Sequence, residues 1–250
     1  MRTSNLILTV LAALLAIAVI VSVTAAARGG SAGTADVALA GVRAERSYDA
    51  VPLRHLRVAG PIRVILSAGV PDVRVEADEA LLDHLADADP AADVLAIEVP
   101  RGVRLASGEE VVAHVTTPTL ERLSLSGTAS VTSPAALPFA SNRVETSGSC
   151  RVDLRYADAE SVELAASGSA EVELRGLARA LTAEFSGSGD LDAGELVASV
   201  VRVRSSGSAS SVVHADSLLA VESSGSGEVR YRGNPRVAFD NSGSGSLRAL

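Results

Sequence analysis

Residues 162–174 read VELAASGSAEVEL and set the pattern for the second half of the chain. The even-numbered residues are apolar or very small, and the odd-numbered ones between them are mostly glutamate and serine. Alternation with a period of two is typical of a β-strand that has one buried face. Gly168 falls in the middle of the predicted buried side, between Ser167 and Ser169. The stretch therefore predicts extended chain with a glycine at its centre.

The same pattern recurs seven times between residues 118 and 250. Successive central glycines are 21, 20, 19, 20, 18 and 18 residues apart. A near-fixed period of this length indicates a solenoid, because one copy can bury its apolar face only against its neighbours. We expect equivalent strands to pair about 4.8 Å apart, so that the seven copies form a stack of about 29 Å. The central glycines are Gly127, Gly148, Gly168, Gly187, Gly207, Gly225 and Gly243.

The Ser-Gly-Ser sequences predict the corners of this solenoid. At the inside of a bend there is no room for a Cβ atom, and glycine also accepts a positive φ. A flanking serine can hydrogen-bond to nearby backbone and stabilise the turn. The hydroxyls then form columns on the outer surface, with Thr128 replacing one serine. We interpret these columns either as structural corners or as a hydroxyl surface that holds a ligand.

The composition favours a narrow aliphatic core and excludes several classes of function. The chain has no Trp, three Tyr and three Phe, and its net charge is −8. A nucleic-acid-binding protein would instead show a basic stripe. Cys150 is the only cysteine, which excludes an intrachain disulfide. Because small residues occupy its column in the other copies and no histidine is near, we expect a small buried thiol.

Residues 1–27 are interpreted as a targeting or membrane segment. Their apolar part, residues 6–23, is 18 residues long. That is longer than the usual signal-peptide core of about 7–15 residues and close to the roughly 20 of a spanning helix. Small residues at 23–27 also fit a cleavage site, which leaves a signal anchor and a cleaved signal peptide as alternatives. Either one places the rest of the chain outside the cytoplasm, with the Gly/Ala-rich residues 28–50 as a linker.

Residues 51–250 are predicted to form a single all-β domain, a parallel β-helix or solenoid with about 18–21 residues per turn. Residues 118–250 are the Ser-Gly-Ser repeat array. Residues 51–117 form an opening and capping region of alternating strands. Within it, Asp78 resembles an N-cap for one or two helical turns over residues 79–85.

Residues 71–100 carry almost all of the net charge. They contain nine acidic side chains and one basic side chain, Arg74. The spacing of the acids matches no EF-hand loop. We interpret them as a solvated acidic surface, with a weak Ca²⁺ site as the alternative.

Five stretches of the chain carry a family resemblance: VAGPIRVILSAG (58–69), VRVEAD (73–78), PTLERLSLSG (118–127), YRGNP (231–235) and NSGSG (241–245). They resemble the bacterial family known as the putative auto-transporter adhesin, head GIN domain, formerly a domain of unknown function. The resemblance covers roughly residues 51 to 250 and implies a β-helix similar to pectin-lyase-like solenoids, without catalytic residues. It also implies an adhesive role at the cell envelope.

Two functions from different classes follow. The first is a non-catalytic extracytoplasmic module for binding or adhesion, held at the membrane by its N-terminal segment. Its partner would be an envelope protein or glycan and not a nucleic acid, and an oligomer is left open. The second is a carbohydrate-active enzyme, a polysaccharide lyase or hydrolase, for which Asp153, Glu173 and Asp192 share one predicted outward column.

The sequence assigns no catalytic, cofactor-binding or metal-ligating residue. Residues 186–192, SGSGDLD, echo a Ca²⁺-binding nonapeptide once, but the aspartate does not recur in the other copies. The four histidines are scattered without a ligand spacing. A binding module is therefore the preferred interpretation.

Overall fold

The computed structural model describes residues 41–48, 53–89, 93–100, 102, 103, 105 and 109–250. The predicted membrane or signal segment 1–27 lies outside these residues. In the part of the chain that is described, no helix is long and apolar enough to cross a membrane. The described residues form 17 strands and one helix.

The strands follow one another along the chain, and the single helix, α1, spans Glu79–Leu85. The strands are β1 (Arg43–Tyr48), β2 (His55–Ala59), β3 (Ile62–Ala68), β4 (Asp72–Asp78), β5 (Ala86–Asp89), β6 (Val94–Glu98), β7 (Val111–Thr117), β8 (Arg122–Gly127), β9 (Ser130–Thr132), β10 (Ser141–Gly148), β11 (Arg151–Gly168), β12 (Glu171–Gly187), β13 (Asp190–Ser205), β14 (Ser210–Ser223), β15 (Glu228–Arg232), β16 (Arg236–Asn241) and β17 (Ser246–Ala249).

The repeat array forms a parallel β-solenoid, which confirms the predicted fold. β8 and β10 to β17 pair in parallel, each with the equivalent strand one turn earlier. Gly148 lies opposite Gly127 on one side and Gly168 on the other, and Gly168 lies opposite Gly187. We call each turn a rung and each Ser-Gly-Ser sequence an arc. The register therefore matches the one read from the period.

The interior of the array is built from aliphatic columns, as the alternation predicts. Val162, Leu164, Val172 and Leu174 are all buried. Tyr156 is the exception in size: it is fully buried, and its hydroxyl donates to Asn142 Oδ1 at 2.8 Å. Since a buried hydroxyl needs a partner, this bond lets a large aromatic ring sit inside the narrow core.

The position of the arc glycines differs from the prediction. Gly168 is exposed together with Ser167 and Ser169, so the glycine is at the apex of the arc and not on the buried side. It is still required, because its φ is +102° and a Cβ atom would lie 2.6 Å from the carbonyl oxygen of Gly148. A Cβ atom is therefore excluded by the neighbouring rung and not by crowding at the inside of a bend.

A ladder of backbone hydrogen bonds explains why the rungs approach so closely at the arcs. The N–H of the serine after each glycine donates to the glycine carbonyl of the preceding rung, as Ser169 does to Gly148 at 2.9 Å. The same bond recurs from Ser149 to Ser244 at 2.8–2.9 Å. A side chain at the glycine would push the rungs apart and break this ladder.

The opening strands form a rung of the same solenoid, although residues 51–117 are predicted only as an opening and capping region. β2 pairs in parallel with β8, and β3 pairs with β9. Gly60, with a φ of +104°, takes the arc position next to Gly127. β6 and β7 pair with the other edge of β2 and β3. The chain therefore builds the second rung first, then a cap rung on one side of it, and returns to continue the array on the other side.

The cap rung is covered by antiparallel strands and by α1. β5 pairs with β6, β4 with β7, and β1 with β4. The predicted helix is confirmed, and Asp78 Oδ1 accepts the Ala80 N–H at 2.9 Å as an N-cap does. β1 lies inside residues 28–50, the stretch that is predicted to be a linker. Leu81, Leu82 and Leu85 of α1 are buried.

Acidic side chains of residues 71–100 pair with basic side chains around the cap. Arg43 contacts Glu76 at 3.2 Å, and Arg46 contacts Asp83 at 2.5 Å. Arg54 contacts Asp93 at 3.4 Å. Among the described residues, no cluster of three or more His, Cys, Asp or Glu side chains could hold a metal ion. The acids described here are therefore partners of arginine on a charged surface.

Candidate binding groove

A groove of about 940 Å³ runs along the solenoid beside the arcs. It is lined at three consecutive positions ahead of each arc glycine from Gly127 to Gly225, and it extends to Arg57 at one end and to Asp240 and Ser242 at the other. Because these positions repeat from rung to rung, the groove runs along the stack, parallel to the solenoid axis. At about 4.8 Å per rung, its length is roughly 30 Å. We call it the serine groove.

The position directly before each glycine is a serine in all seven array rungs. Three of these hydroxyls donate to a backbone carbonyl of the preceding rung: Ser126 to Val58, Ser167 to Thr146 and Ser206 to Phe185, at 3.2–3.5 Å. A bonded hydroxyl keeps its lone pairs as acceptors toward the groove. The seven groove serines are Ser126, Ser147, Ser167, Ser186, Ser206, Ser224 and Ser242.

The second serine of each arc lies outside the groove. Ser169 and Ser188 are exposed, yet neither lines the cavity. The two hydroxyl columns predicted from the sequence therefore have different surroundings. The first borders a concave surface, and the backbone of the second carries the ladder that joins the arcs.

The position three residues before each glycine carries the charges of the groove. Arg204 lies between two glutamates and contacts Glu184 at 3.2 Å and Glu222 at 3.1 Å. These two hydrogen bonds, first that to Glu222, raise the pKa of Arg204. From the capped end to the other end this column reads Arg57, Ser124, Glu145, Ala165, Glu184, Arg204, Glu222 and Asp240.

A hydrogen-bonded cluster borders the groove near the cap through Ser124 and Glu145. Arg143 Nε donates to Glu145 at 2.7 Å, and this bond lowers the pKa of Glu145. Ser124 Oγ donates to the same carboxylate at 3.2 Å, and His55 Nε2 is 2.9 Å from Ser124 Oγ. Burial, followed by the charges of Arg57 and Arg122, lowers the pKa of His55. The Glu145 carboxylate is thus charged and fixed at neutral pH.

The groove is lined by polar and apolar atoms together. Leu125 and Phe185 border it, but each is only 3% exposed because its side chain belongs to the core. The serine hydroxyls and the charged groups of the neighbouring column are the hydrogen-bonding groups that a ligand would meet. Hydroxyls and carboxylates bind hydroxyl and amide groups through hydrogen bonds.

The predicted carboxylate column exists in the structure but is held by an arginine. Asp153, Glu173 and Asp192 lie opposite one another in adjacent rungs, and the next rungs place Val212 there, as predicted. Arg175 contacts Asp153 at 2.6 Å and also binds Glu173. None of these residues lines the groove. The arrangement is an ion-paired surface cluster and not the open carboxylate pair that glycoside hydrolysis needs.

Two further predicted residues are involved in packing. Cys150 is buried, with its thiol 3.6 Å from the Ser147 carbonyl, and burial raises its pKa. A thiol that stays protonated is a poor nucleophile. In the sequence that echoes a Ca²⁺ repeat, Asp192 Oδ1 accepts the Gly194 N–H at 3.0 Å and so caps its own turn.

Sequence reasoning identified the groove serines but missed the charged column beside them. The signal was available in the count of residues before each glycine, where Glu145, Glu184, Glu222 and Asp240 recur. It was hidden because Ser124, Ala165 and Arg204 interrupt the column. Whether these positions border a concave surface depends on how the sheet turns at each arc, which alternation alone does not encode.

Comparisons with known proteins agree with this fold. Residues 52–235 match the family model "Putative auto-transporter adhesin, head GIN domain". No curated protein sequence matches the chain. A crystal structure of a putative adhesin from Bacteroides fragilis is 18% identical, with a TM-score of 0.76 over 84% of this chain and 98% of that one.

Two further crystal structures have the same fold. One is a putative lipid binding protein from Parabacteroides distasonis, 18% identical, with a TM-score of 0.67 over 85% of this chain and 98% of that one. The other is a putative adhesin from Parabacteroides merdae, 16% identical, with a TM-score of 0.64 over 84% of this chain and 97% of that one. Neither the family nor these neighbours are named as enzymes. By its sequence match and its repeat, the chain belongs to the putative auto-transporter adhesin, head GIN domain family.

Proposed function

We propose that this protein is a non-catalytic binding module of the bacterial cell envelope, and that it holds an extended glycan in the serine groove. The observation that carries the proposal is the continuity of the groove, with one serine per rung over seven rungs. A ligand with a regular repeat of hydroxyl groups can meet the same donor and acceptor in rung after rung. Many weak contacts of this kind add up over a long surface.

The row of serine hydroxyls and charged side chains along the groove favours a glycan over a lipid. One structural neighbour is named a putative lipid binding protein, so an acyl chain is the main competitor. The apolar residues at the groove, such as Phe185, are almost completely buried. A lipid tail would displace water from the serines and carboxylates without replacing the hydrogen bonds that the water made.

A matched pair of variants tests the groove directly. Ser186→Phe fills its centre, while Ser188→Phe places the same ring on the other side of Gly187, outside the groove. Both serines are exposed, so both variants should fold. With the full chain immobilised, soluble bacterial envelope polysaccharides are the first probe and phosphatidylglycerol vesicles the second.

We expect polysaccharide binding that Ser186→Phe weakens at least about tenfold and that Ser188→Phe leaves nearly unchanged. Vesicle binding lost in Ser186→Phe would support a lipid ligand and contradict the glycan proposal. If the two variants bind the polysaccharide equally well, the groove is not the binding surface.

The proposed location rests on residues 1–27 and on the family. We propose that this segment anchors the chain and leaves the solenoid outside the cytoplasm. Mass spectrometry of the mature N-terminus and protease treatment of intact spheroplasts test both points. A mature protein that begins near Arg28 would replace the anchor with a cleaved signal, and a solenoid protected in spheroplasts would contradict the envelope location.

A further inference from the structure

The last rung of the solenoid leaves its core columns uncovered. Val237 and Phe239 continue the columns of Leu219 and Val221, with which they pair. Leu219 and Val221 are 0% and 1% exposed, whereas Val237 and Phe239 are 43% and 42% exposed. β16 has β14 on one edge, and no strand among the described residues pairs with its other edge. Such an edge is a template for adding another strand.

The sequence of β16 is self-complementary when it is paired with itself in antiparallel orientation. With a two-fold axis at Ala238, Arg236 of each copy lies opposite Asp240 of the other, and Val237 lies opposite Phe239. Directly opposed residues share a face of the sheet, so the charges meet outside and the apolar side chains meet over the core. Shifting the pairing by two residues in either direction loses both ion pairs.

From this geometry we propose that the open end binds a second copy of the chain through β16, in a two-fold symmetric dimer. In such an interface each contact occurs twice, because the same surface serves both partners. The second copy would continue the sheet of β16 and cover Val237 and Phe239. Among the described residues, neither Arg236 nor Asp240 has an ion-pair partner within its own chain, so both are available to the other copy.

A cysteine placed on the axis tests the register. In the dimer the two Ala238 Cα atoms lie roughly 5 Å apart, which a disulfide can bridge. Ala220→Cys is the matched control, because Ala220 lies one rung deeper in the same column and its two copies would be about 14 Å apart. Both variants are made in a Cys150→Ala background, where alanine matches the small residues Ala129 and Ala170 of neighbouring rungs.

We expect mild oxidation of the full chain in a non-ionic detergent to link Ala238→Cys into a dimer and to leave Ala220→Cys monomeric. An unlinked Ala238→Cys chain, or equal linking of both variants, would overturn the proposal. Ala238→Cys would also stay unlinked if another segment of the chain covered β16. That outcome, too, would exclude the dimer.

Charge reversal provides the second test, and Arg236→Asp changes no residue that lines the serine groove. Arg236→Asp places acids opposite each other twice and should weaken dimerisation at least about tenfold in sedimentation equilibrium. Arg236→Asp combined with Asp240→Arg restores both pairs and should restore the dimer. Arg236 is exposed, so melting curves should show that each variant folds. If Arg236→Asp does not weaken dimerisation, the dimer forms through another surface, for example residues 1–27. That result would contradict the proposal.

Discussion

The two ends of the solenoid differ in how well the apolar side chains of the terminal rung are covered. At one end, Leu95 and Ile97 of the cap rung are 1% and 0% exposed, because β5 and α1 lie over them. At the other end, Val237 and Phe239 occupy the last rung with more than two fifths of their surface in water. A stacked fold must end somewhere, and a terminal rung without a polar cover exposes apolar columns.

The outermost strands differ in chemistry as well as in cover. β1 is the outermost strand beyond β7 and β4, and its Arg43 and Arg46 are ion-paired with Glu76 and Asp83. Charged edge strands discourage pairing with another chain. β16 carries two exposed apolar side chains instead. One end of the solenoid therefore has an ion-paired edge strand, and the other has an edge strand with exposed apolar side chains.

The largest effect is expected at the capped end. Leu81→Ala removes a fully buried side chain from α1 and should lower the free energy of unfolding by about 2–5 kcal/mol. Phe239→Ala at the open end should cost less, below about 2 kcal/mol, because 42% of that side chain surface is already exposed. Urea denaturation of the full chain measures both. Equal losses would mean that the two ends are equally covered.

A second comparison separates the middle of the stack from its last rung. Gly168→Val would force a branched side chain into a φ of +102° and against the Gly148 carbonyl, at about 2–4 kcal/mol. Gly243→Val meets the Gly225 carbonyl in the same way, but the last rung can detach while the others stay folded. We therefore expect a smaller fall in melting temperature for Gly243→Val.

Ser167→Val is the control for that comparison. Its side chain points outward beside Gly168, so its cost should be about 1 kcal/mol or less. A Ser167→Val protein that melts as early as the Gly168→Val protein would contradict the register of the arcs.

Hydrogen exchange should show the asymmetry without any mutation. At concentrations where the chain is monomeric, amides of β16 and β17 should exchange much faster than those of β6, because the last rung is paired on one side only. Raising the protein concentration should slow exchange in β16 and leave β6 unchanged. Uniform protection at low concentration would show that the last rung is not open in solution.

The smallest expected effect is a pH dependence near the cap. The pKa of His55 is lowered, first by burial and then by Arg57 and Arg122, so the folded protein binds this proton less readily than the unfolded chain. Its contribution to stability is present above the unfolded pKa of 6.5 and is lost as the pH falls through the lower folded value. The wild type should lose more stability than His55→Gln when the pH falls from about 7.5 to about 5. Identical pH profiles would contradict this assignment.

Local sequence patterns are enough to predict the repeat, the register and the composition of the core. Side chains of a strand alternate between faces, so the parity of Val162, Leu164 and their equivalents decided which residues are buried. The period aligned the glycines in one column, and the column of Asp153, Glu173 and Asp192 followed from the same count. The short helix and its Asp78 cap were also readable, because capping depends on residues close together in the chain.

Features that depend on contacts between distant segments are visible only in the folded chain. Gly168 was assigned to the buried side because alternation continues through it, yet the arc turns there and leaves it exposed, held by its contact with Gly148. The place of β2 between β6 and β8 reverses the order of the chain, which no local pattern encodes. The serine groove and the open face of β16 are likewise properties of stacking, since concavity and cover arise from the neighbours that each rung has or lacks.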